Sequence, residues 1–370
     1  MPRFCGHPPF GVREFGRVLA GPAYARRLAA QAVAAGVSIR TGHSVVALDP
    51  GPRLQLATRD GASALTARRV LLATGVRETP RSARLIAGDR PQGVLTTGTL
   101  QAMIYGRGLV PFRRPVVVGT ELVSLSALLT CRRAGIQPVA VIEANARPSA
   151  PRALLLFPWL LGVATHYGAV LLEIRGRQRV EAVTLRMADG ALREIACDGV
   201  LLTGGFVPEA ALVRSSHLAL DPGSGGPTID QFGRCSDPAC FAAGNLLRPV
   251  ESAGWSYREG TRIGGCIADD LAGRLPPEQT SVPIARGMGI KLVVPHRLSL
   301  PAGAAGLGEL QLRVTRAVTG DLVVAADGRP IWRQRQVALP ERRLLIPVDE
   351  LHLPSGTDSL EVGFASEGGA

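Results

Sequence analysis

The chain has 370 residues, 46% hydrophobic and 19% charged, which is enough apolar content for two or three cores and too little charge for disorder. Its net charge of +12 raises the question of nucleic acid. Lys291 is the only lysine, however, the arginines are scattered and aromatics make up only 4%, so the basic, aromatic-interleaved surface that would bind nucleic acid is not present.

In chain order, Pro22–Ala35 reads as a helix, with Pro22 in its first turn and Gly36 as its stop. Ser44–Leu48 is strand-like, and Leu54–Thr58 with Ser63–Ala67 forms a hairpin. Val70–Ala73 is a continuous apolar run ending in Thr74-Gly75, the pattern of a strand buried on both faces. Pro115–Val118, the turn Gly119–Ser124, the helix Leu125–Ala134 and Val139–Ile142 make a βαβ half-unit of about thirty residues. Strands are expected at Val170–Ile174, Val180–Arg186, Leu192–Ile195 and Gly199–Thr203, and a helix at Gly254–Leu271. Beyond Pro277 the alternating segments Glu309–Val314, Gly320–Ala325, Pro330–Val337 and Arg342–Val348 predict a small β-sandwich.

The most apolar stretch, Leu154–Val163, is too short to span a bilayer and is broken by Pro158, so no transmembrane segment is expected. Met1–Gly11 lacks the basic and apolar regions of a signal peptide. The six cysteines show no C-x-x-C, and Cys235 and Cys240, five apart, fit neither a redox pair nor a metal knuckle. Reduced thiols and a cytoplasmic location are the reading, with no metal.

Gly119-Thr120-Glu121 stands where a dinucleotide fingerprint belongs, between strand and helix. The first glycine is kept, but Glu121 takes the middle position and Ser124 the third. A carboxylate there opposes phosphates where a helix N-terminus should attract them. Glu143 ends the second strand, where an NAD ribose would be held. NAD is disfavoured by Glu121, and NADP further by Glu143. Cys240–Asn245 (CFAAGN) ends in an amide that can donate and accept hydrogen bonds but carries no charge. Gly254 opens a helix whose N-terminus could face a flavin pyrimidine. Arg248, Glu251, Trp255 and Tyr257 line either a pocket or a packed interface. Of the six histidines, all dispersed, His7 in the loop Gly-His-Pro-Pro-Phe-Gly is a weak candidate for a substrate-site residue. A lone histidine is more often a structural hydrogen-bonder.

The strings CGHPPFGVREFGRVLAGPAYA, VLLATGVRETPRSAR, RPQGVLTTGTLQ, VVGTELVSLSALLTCRRAG and CFAAGNLLRPVESAGWSYREG resemble the pyridine-nucleotide-disulfide-oxidoreductase-like flavoproteins. Within these they are most similar to the FAD subunits of opine oxidase, dye-linked proline dehydrogenase and hydrogen cyanide synthase. The resemblance covers Arg3–Arg274. It implies an α/β fold with two Rossmann-like, FAD/NAD(P)-binding domains, the second inserted in the first. Residues 1–95 and 206–276 would form the FAD-binding-type domain, 96–205 the inserted NAD-binding-like domain, and 281–370 an added all-β module. It further implies FAD held near Val46, Thr74, Gly75, Gly244, Asn245 and Gly254, with Gly119, Thr120, Glu121 and Glu143 marking the inserted domain's nucleotide turn. The implied chemistry is oxidation of a small amine or amino-acid-derived substrate, with electrons passed to a second oxidoreductase subunit.

The sequence departs from this pattern at its start. The GxGxxG βαβ unit expected before Cys5 is missing, as in a chain with a truncated N-terminus. Charge-assisted bonds are worth roughly 1.5–3 kcal/mol each, and losing about three would weaken FAD by roughly 10³- to 10⁶-fold. The alternative reading is a flavoprotein-derived scaffold or regulatory subunit that no longer binds FAD.

Overall fold

The computed structural model describes residues 10–149, 156–277, 279–300, 306–340 and 342–365. They fall into two compact units, Met1–Ile39 with Glu78–Phe206, and Arg40–Arg77 with Val207–Ala370. His7 and Cys5 lie outside the described residues.

The first unit is built on a five-stranded sheet, in the order Ala164–Tyr167, Ala140–Glu143, Pro115–Val118, Gly199–Leu202 and Val94–Thr96. Every neighbouring pair is parallel. Parallel strands need both faces covered, which explains the near-continuous apolar runs. Val117, Val141 and Leu201 pack with Leu100, Ala127 and Leu128 of two helices. Val116, Ile142, Val200 and Leu202 point the other way, onto Ile174, Val183 and Leu185. Those last residues belong to a second sheet in the order Leu192–Ala196, Ala182–Arg186, Val170–Arg175 and Ala87–Gly88.

Two helices cover the first face. Leu122–Arg133 starts three residues before the expected helix, because Glu121 already sits at its N-cap and its carbonyl accepts from the Ser124 N–H at 2.8 Å. Thr97–Arg107 had no strong signal in the sequence. Its first turn is satisfied from afar, with the Glu78 carboxylate accepting from the N–H groups of Thr97 (3.2 Å) and Gly98 (2.6 Å). This is a side-chain substitute for a local cap.

The second unit opens with an antiparallel meander, Ser44–Asp49, Arg53–Thr58 and Gly61–Thr66. Val70–Leu72 follows and pairs in parallel with Cys240–Ala242. The expectation that this run is buried on both faces is only half met. Val70 and Leu72 are buried but Leu71 is 41% exposed. Among the described residues this strand has a partner on one edge only, so a full covering layer has nothing to rest on. The amphipathic helix Ala253–Leu271 buries Ile263 and Cys266.

The rest of the unit is a β-sandwich. Five strands run in the order Arg297–Leu300, Thr280–Arg286, Leu360–Phe364, Val318–Ala326 and Arg329–Ala338. Three more run as Ile290–Val294, Glu309–Val314 and Leu344–Pro347. Their inward residues, among them Val282, Leu310, Leu312, Val324, Ile346 and Val362, form one core. The mixture of parallel and antiparallel layers is the α/β class expected from the sequence.

Candidate functional site

In the first unit, the strand order places Pro115–Val118 beside Gly199–Leu202, while the connection from Pro115–Val118 leads away to Ala140–Glu143. The winding therefore reverses between these two strands, and the crevice beyond their carboxyl ends is where an open α/β sheet binds ligands. Gly119, Thr120 and Glu121 form one wall, and Thr203, Gly204 and Gly205 the other. All three glycines carry a positive φ (+114°, +61° and +60°), which opens the two turns toward each other.

The crevice is filled from within. Glu121 Oε2 lies 2.9 Å from the Thr203 hydroxyl, and a side chain added at Gly204 would collide with the Glu121 carboxylate. Beneath it Arg84 spans the turns, donating to the carbonyls of Thr79 (2.9 Å), Thr203 (2.9 Å) and Gly204 (2.7 Å). Burial pushes the Glu121 carboxyl above its ordinary value, and Glu143 adds to this, against its own backbone hydrogen bond, the Thr203 hydroxyl and Arg84. The cradle that would take a pyrophosphate holds the protein's own carboxylate.

Glu143 is likewise engaged. It is 5% exposed and accepts from the Thr120 hydroxyl, the Asn145 N–H (2.9 Å) and the Asn145 amide (2.8 Å). The Thr120 oxygen in turn accepts from the Ser149 N–H at 3.0 Å. Gly119, Thr120, Glu121 and Glu143 thus come together, joined to one another rather than left open.

In the second unit, Thr74, Gly75, Gly244 and Asn245 lie at the carboxyl ends of the paired strands. The Thr74 hydroxyl donates to the Glu209 carbonyl (2.7 Å), and the Glu209 N–H donates to the Gly75 carbonyl (2.8 Å). The Gly244 N–H donates to buried Glu259 (2.6 Å). Asn245 closes its own loop, accepting from the Glu251 N–H (2.8 Å) and donating to the Glu251 carbonyl (3.4 Å). Gly254 stands in the first turn of the helix Ala253–Leu271, where the Ser252 hydroxyl accepts from the Trp255 N–H. Val46, on the meander, is 58% exposed.

What the sequence left open around Arg248 and Glu251 is a buried charge network. Arg248 is 1% exposed and donates to Glu259. Glu251 accepts from Arg313 (2.8 Å) and from Arg343. The Arg343 guanidinium lies over the Trp255 ring, 3.4 Å from its centroid. Arg248-x-x-Glu251 was a visible pairing signal; its partners Arg313 and Arg343 come from the β-sandwich and carry no motif.

A parallel sheet with glycine turns at its switch point, and a separate strand–loop–helix with a Gly-Asn end, define a dinucleotide-fold protein. A family model described as pyridine nucleotide-disulphide oxidoreductase matches residues 11–260, and the chain belongs to that family. FAD is the cofactor associated with it.

Among curated proteins, the chain is 27% identical over 210 residues to the sarcosine oxidase subunit alpha of Rhizobium meliloti (strain 1021). That match takes in 56% of this chain and 19% of the relative, so the chain spans about a fifth of the curated relative it matches. Among solved structures it is similar to thioredoxin reductase of T. acidophilum (20% identity, TM-score 0.60, 73% of this chain and 86% of that one). A second is thioredoxin reductase of Lactococcus lactis (17%, 0.56, 74% and 87%). A third is a FAD-dependent pyridine nucleotide-disulphide oxidoreductase from Desulfovibrio vulgaris (20%, 0.50, 76% and 73%). At these identities the structures bear on the fold.

Set against FAD, the described residues of the second unit fit in part. The Thr74-Gly75 and Gly244-Asn245 loops and the helix opening at Ala253 occupy the carboxyl-end positions that meet a cofactor. The Thr74 hydroxyl, the Gly244 N–H and the Asn245 side-chain amide, however, are committed internally, and no strand among the described residues of this unit runs through a glycine-rich turn into a helix. A diphosphate needs such a turn, so these residues alone do not fit that part of FAD. No described helix is long and apolar enough to cross a membrane.

Proposed function

We propose that the chain acts as a subunit of a FAD-dependent oxidoreductase that oxidises a small amine or amino-acid-derived substrate, working with a second oxidoreductase subunit in the cytoplasm. The observation that carries this reading is the likeness to a sarcosine oxidase subunit alpha, together with membership of an oxidoreductase family over residues 11–260. Bound beside the Thr74-Gly75 and Gly244-Asn245 loops, FAD would supply the hydride-accepting chemistry that such an oxidation needs.

This chain's contribution is structural. Thr74, Gly75 and Gly244 shape the loops, Asn245 fixes the turn that ends in Glu251, and the Arg248–Glu259 pair holds the Gly244 loop against its helix. Gly254 presents the first turn of that helix, and Val46 stands on the neighbouring meander. No side chain among the described residues is assigned as a base, and His7 keeps a candidate role in substrate contact. In this reading residues 1–95 and 206–276 form the flavin-type domain, 96–205 the inserted nucleotide-type domain and 281–370 the added module.

A second reading, a scaffold or regulatory subunit without flavin, is favoured by one observation, the internal commitment of Glu121 and Asn245. The test is to titrate the full chain with FAD, follow the visible flavin bands through gel filtration, and add N-methylglycine, proline or an opine without oxygen. Retained flavin that bleaches with one of these supports the enzyme reading. Retained flavin that none of them bleaches counts against the amine substrate, and failure to take up FAD favours the scaffold.

A further inference from the structure

The amino end of the strand Cys240–Ala242 carries a group of side chains that the oxidoreductase reading does not use. Asp237-Pro-Ala-Cys240 is a tight turn, closed by the Cys240 N–H donating to the Asp237 carbonyl at 2.9 Å. It puts a carboxylate and a thiol three residues apart, the two-residue gap that brings two zinc ligands to one ion. His217 follows the short helix Ala211–Arg214, and its Nε2 lies 2.8 Å from Asp237 Oδ2. The segments are fastened side by side by the Ala219 N–H donating to the Ser236 hydroxyl at 2.8 Å. One ligand atom from each of His217, Asp237 and Cys240 lies within 4.8 Å of the other two.

We propose that His217, Asp237 and Cys240 hold a single zinc ion, with water in the fourth position. One imidazole nitrogen, one carboxylate oxygen and one sulfur are the donor types zinc takes, and a divalent ion of borderline softness suits this mixture better than calcium or magnesium, which want oxygen alone. The other Asp237 oxygen accepts from the Ala239 N–H at 2.9 Å, which fixes the carboxylate in the way outer-shell hydrogen bonds orient metal ligands. His217 stands at the surface and gives the ion a way in, while Cys240 is fully buried.

Without metal the Cys240 thiol is pushed up to about 11, chiefly by burial and then by the Asp237 charge. Binding therefore replaces the thiol proton: Zn²⁺ joins the sulfur, one proton leaves to solvent, and no electrons move. The ion would tie the turn at 237–240 to the segment after Arg214. It sits at the amino end of the strand, whereas the Gly244-Asn245 loop leaves the carboxyl end, so the site is separate from the proposed flavin loops.

The experiment equilibrates the reduced full chain with Zn²⁺, removes the excess by gel filtration and measures bound zinc. A parallel sample takes Co²⁺ and is read by absorbance. One equivalent of zinc, a sulfur-to-cobalt charge-transfer band, and loss of both in His217→Gln are expected. His217 is at the surface, so this variant should keep the fold, checked by far-ultraviolet circular dichroism. Its affinity should fall by more than the roughly 10- to 100-fold that losing an outer-shell partner costs. Asp237→Asn should weaken binding in the same direction. No retained metal, cobalt bound without the sulfur band, or a full equivalent retained by His217→Gln would each overturn the assignment.

Discussion

Glu121 and Thr203 face each other across the switch point of the parallel sheet, with carboxylate and hydroxyl oxygens 2.9 Å apart. The Thr203 hydroxyl is also 2.8 Å from the Val118 carbonyl, which already receives the Thr203 N–H. Its single proton is therefore better placed on the charged oxygen of Glu121. This contact closes the crevice from both walls and turns a nucleotide-type turn into a packed internal joint.

The joint sets a pH dependence. Burial raises the Glu121 pKa above its ordinary 4.5, so the carboxylate is less at ease folded than unfolded. Glu121 thus contributes most below pH 4.5, and that contribution is lost as pH rises through the raised value. Glu121→Gln should melt at a higher temperature than the unaltered chain at pH 8, and the two curves should converge below about pH 4.5. Scanning calorimetry across that range checks it, and a lower melting temperature for the variant at pH 8 would contradict it.

Asp221 behaves in the opposite sense. Burial alone would raise its pKa, but His296 and the Ser224 N–H and hydroxyl outweigh it and hold the carboxyl well below the usual range. The Ser224 N–H bond is 2.6 Å and His296 Nε2 is 3.5 Å away. Its stabilisation is present above the ordinary carboxylate pKa and is lost as pH falls toward the lowered one. Asp221→Asn should cost about 1.5–3 kcal/mol at pH 7 and progressively less in acid, read from urea midpoints at a series of pH values.

Glu251 joins two arginines of the β-sandwich to the loop after Asn245. Removing its charge leaves Arg313 and Arg343 beside a neutral amide in a buried setting. Breaking such a pair costs about 3–5 kcal/mol, and Glu251→Gln should lower the urea midpoint accordingly. A change under about 0.5 kcal/mol, the size usual for a surface substitution, would show that solvent replaces the lost partner.

The parts of this fold that were legible in the sequence are those whose signals are local. Val116–Val118 and Val141–Ile142 are unbroken β-branched runs, and Gly119 announces the turn between strand and helix. The strand Glu309–Val314 falls where its alternation places it. Helix Thr97–Arg107 was not legible because its first N–H groups are satisfied by Glu78, nineteen residues earlier. Glu121 stood out as the wrong residue for a phosphate. What it does instead depends on Arg84 and Thr203, which lie far from it in the chain. The Asp237–Cys240 turn pairs a carboxylate with a thiol and so shows no cysteine spacing, and His217 comes twenty residues before Asp237.

The measurement that bears most directly on the self-filled crevice is a titration of the unaltered chain with NADH, followed by nicotinamide fluorescence, beside the Glu121→Gly variant. The expected result is no saturable binding by the unaltered chain and a gain of about tenfold or more, some 1.4 kcal/mol, once the carboxylate is removed. Saturable binding of micromolar NADH by the unaltered chain would contradict it.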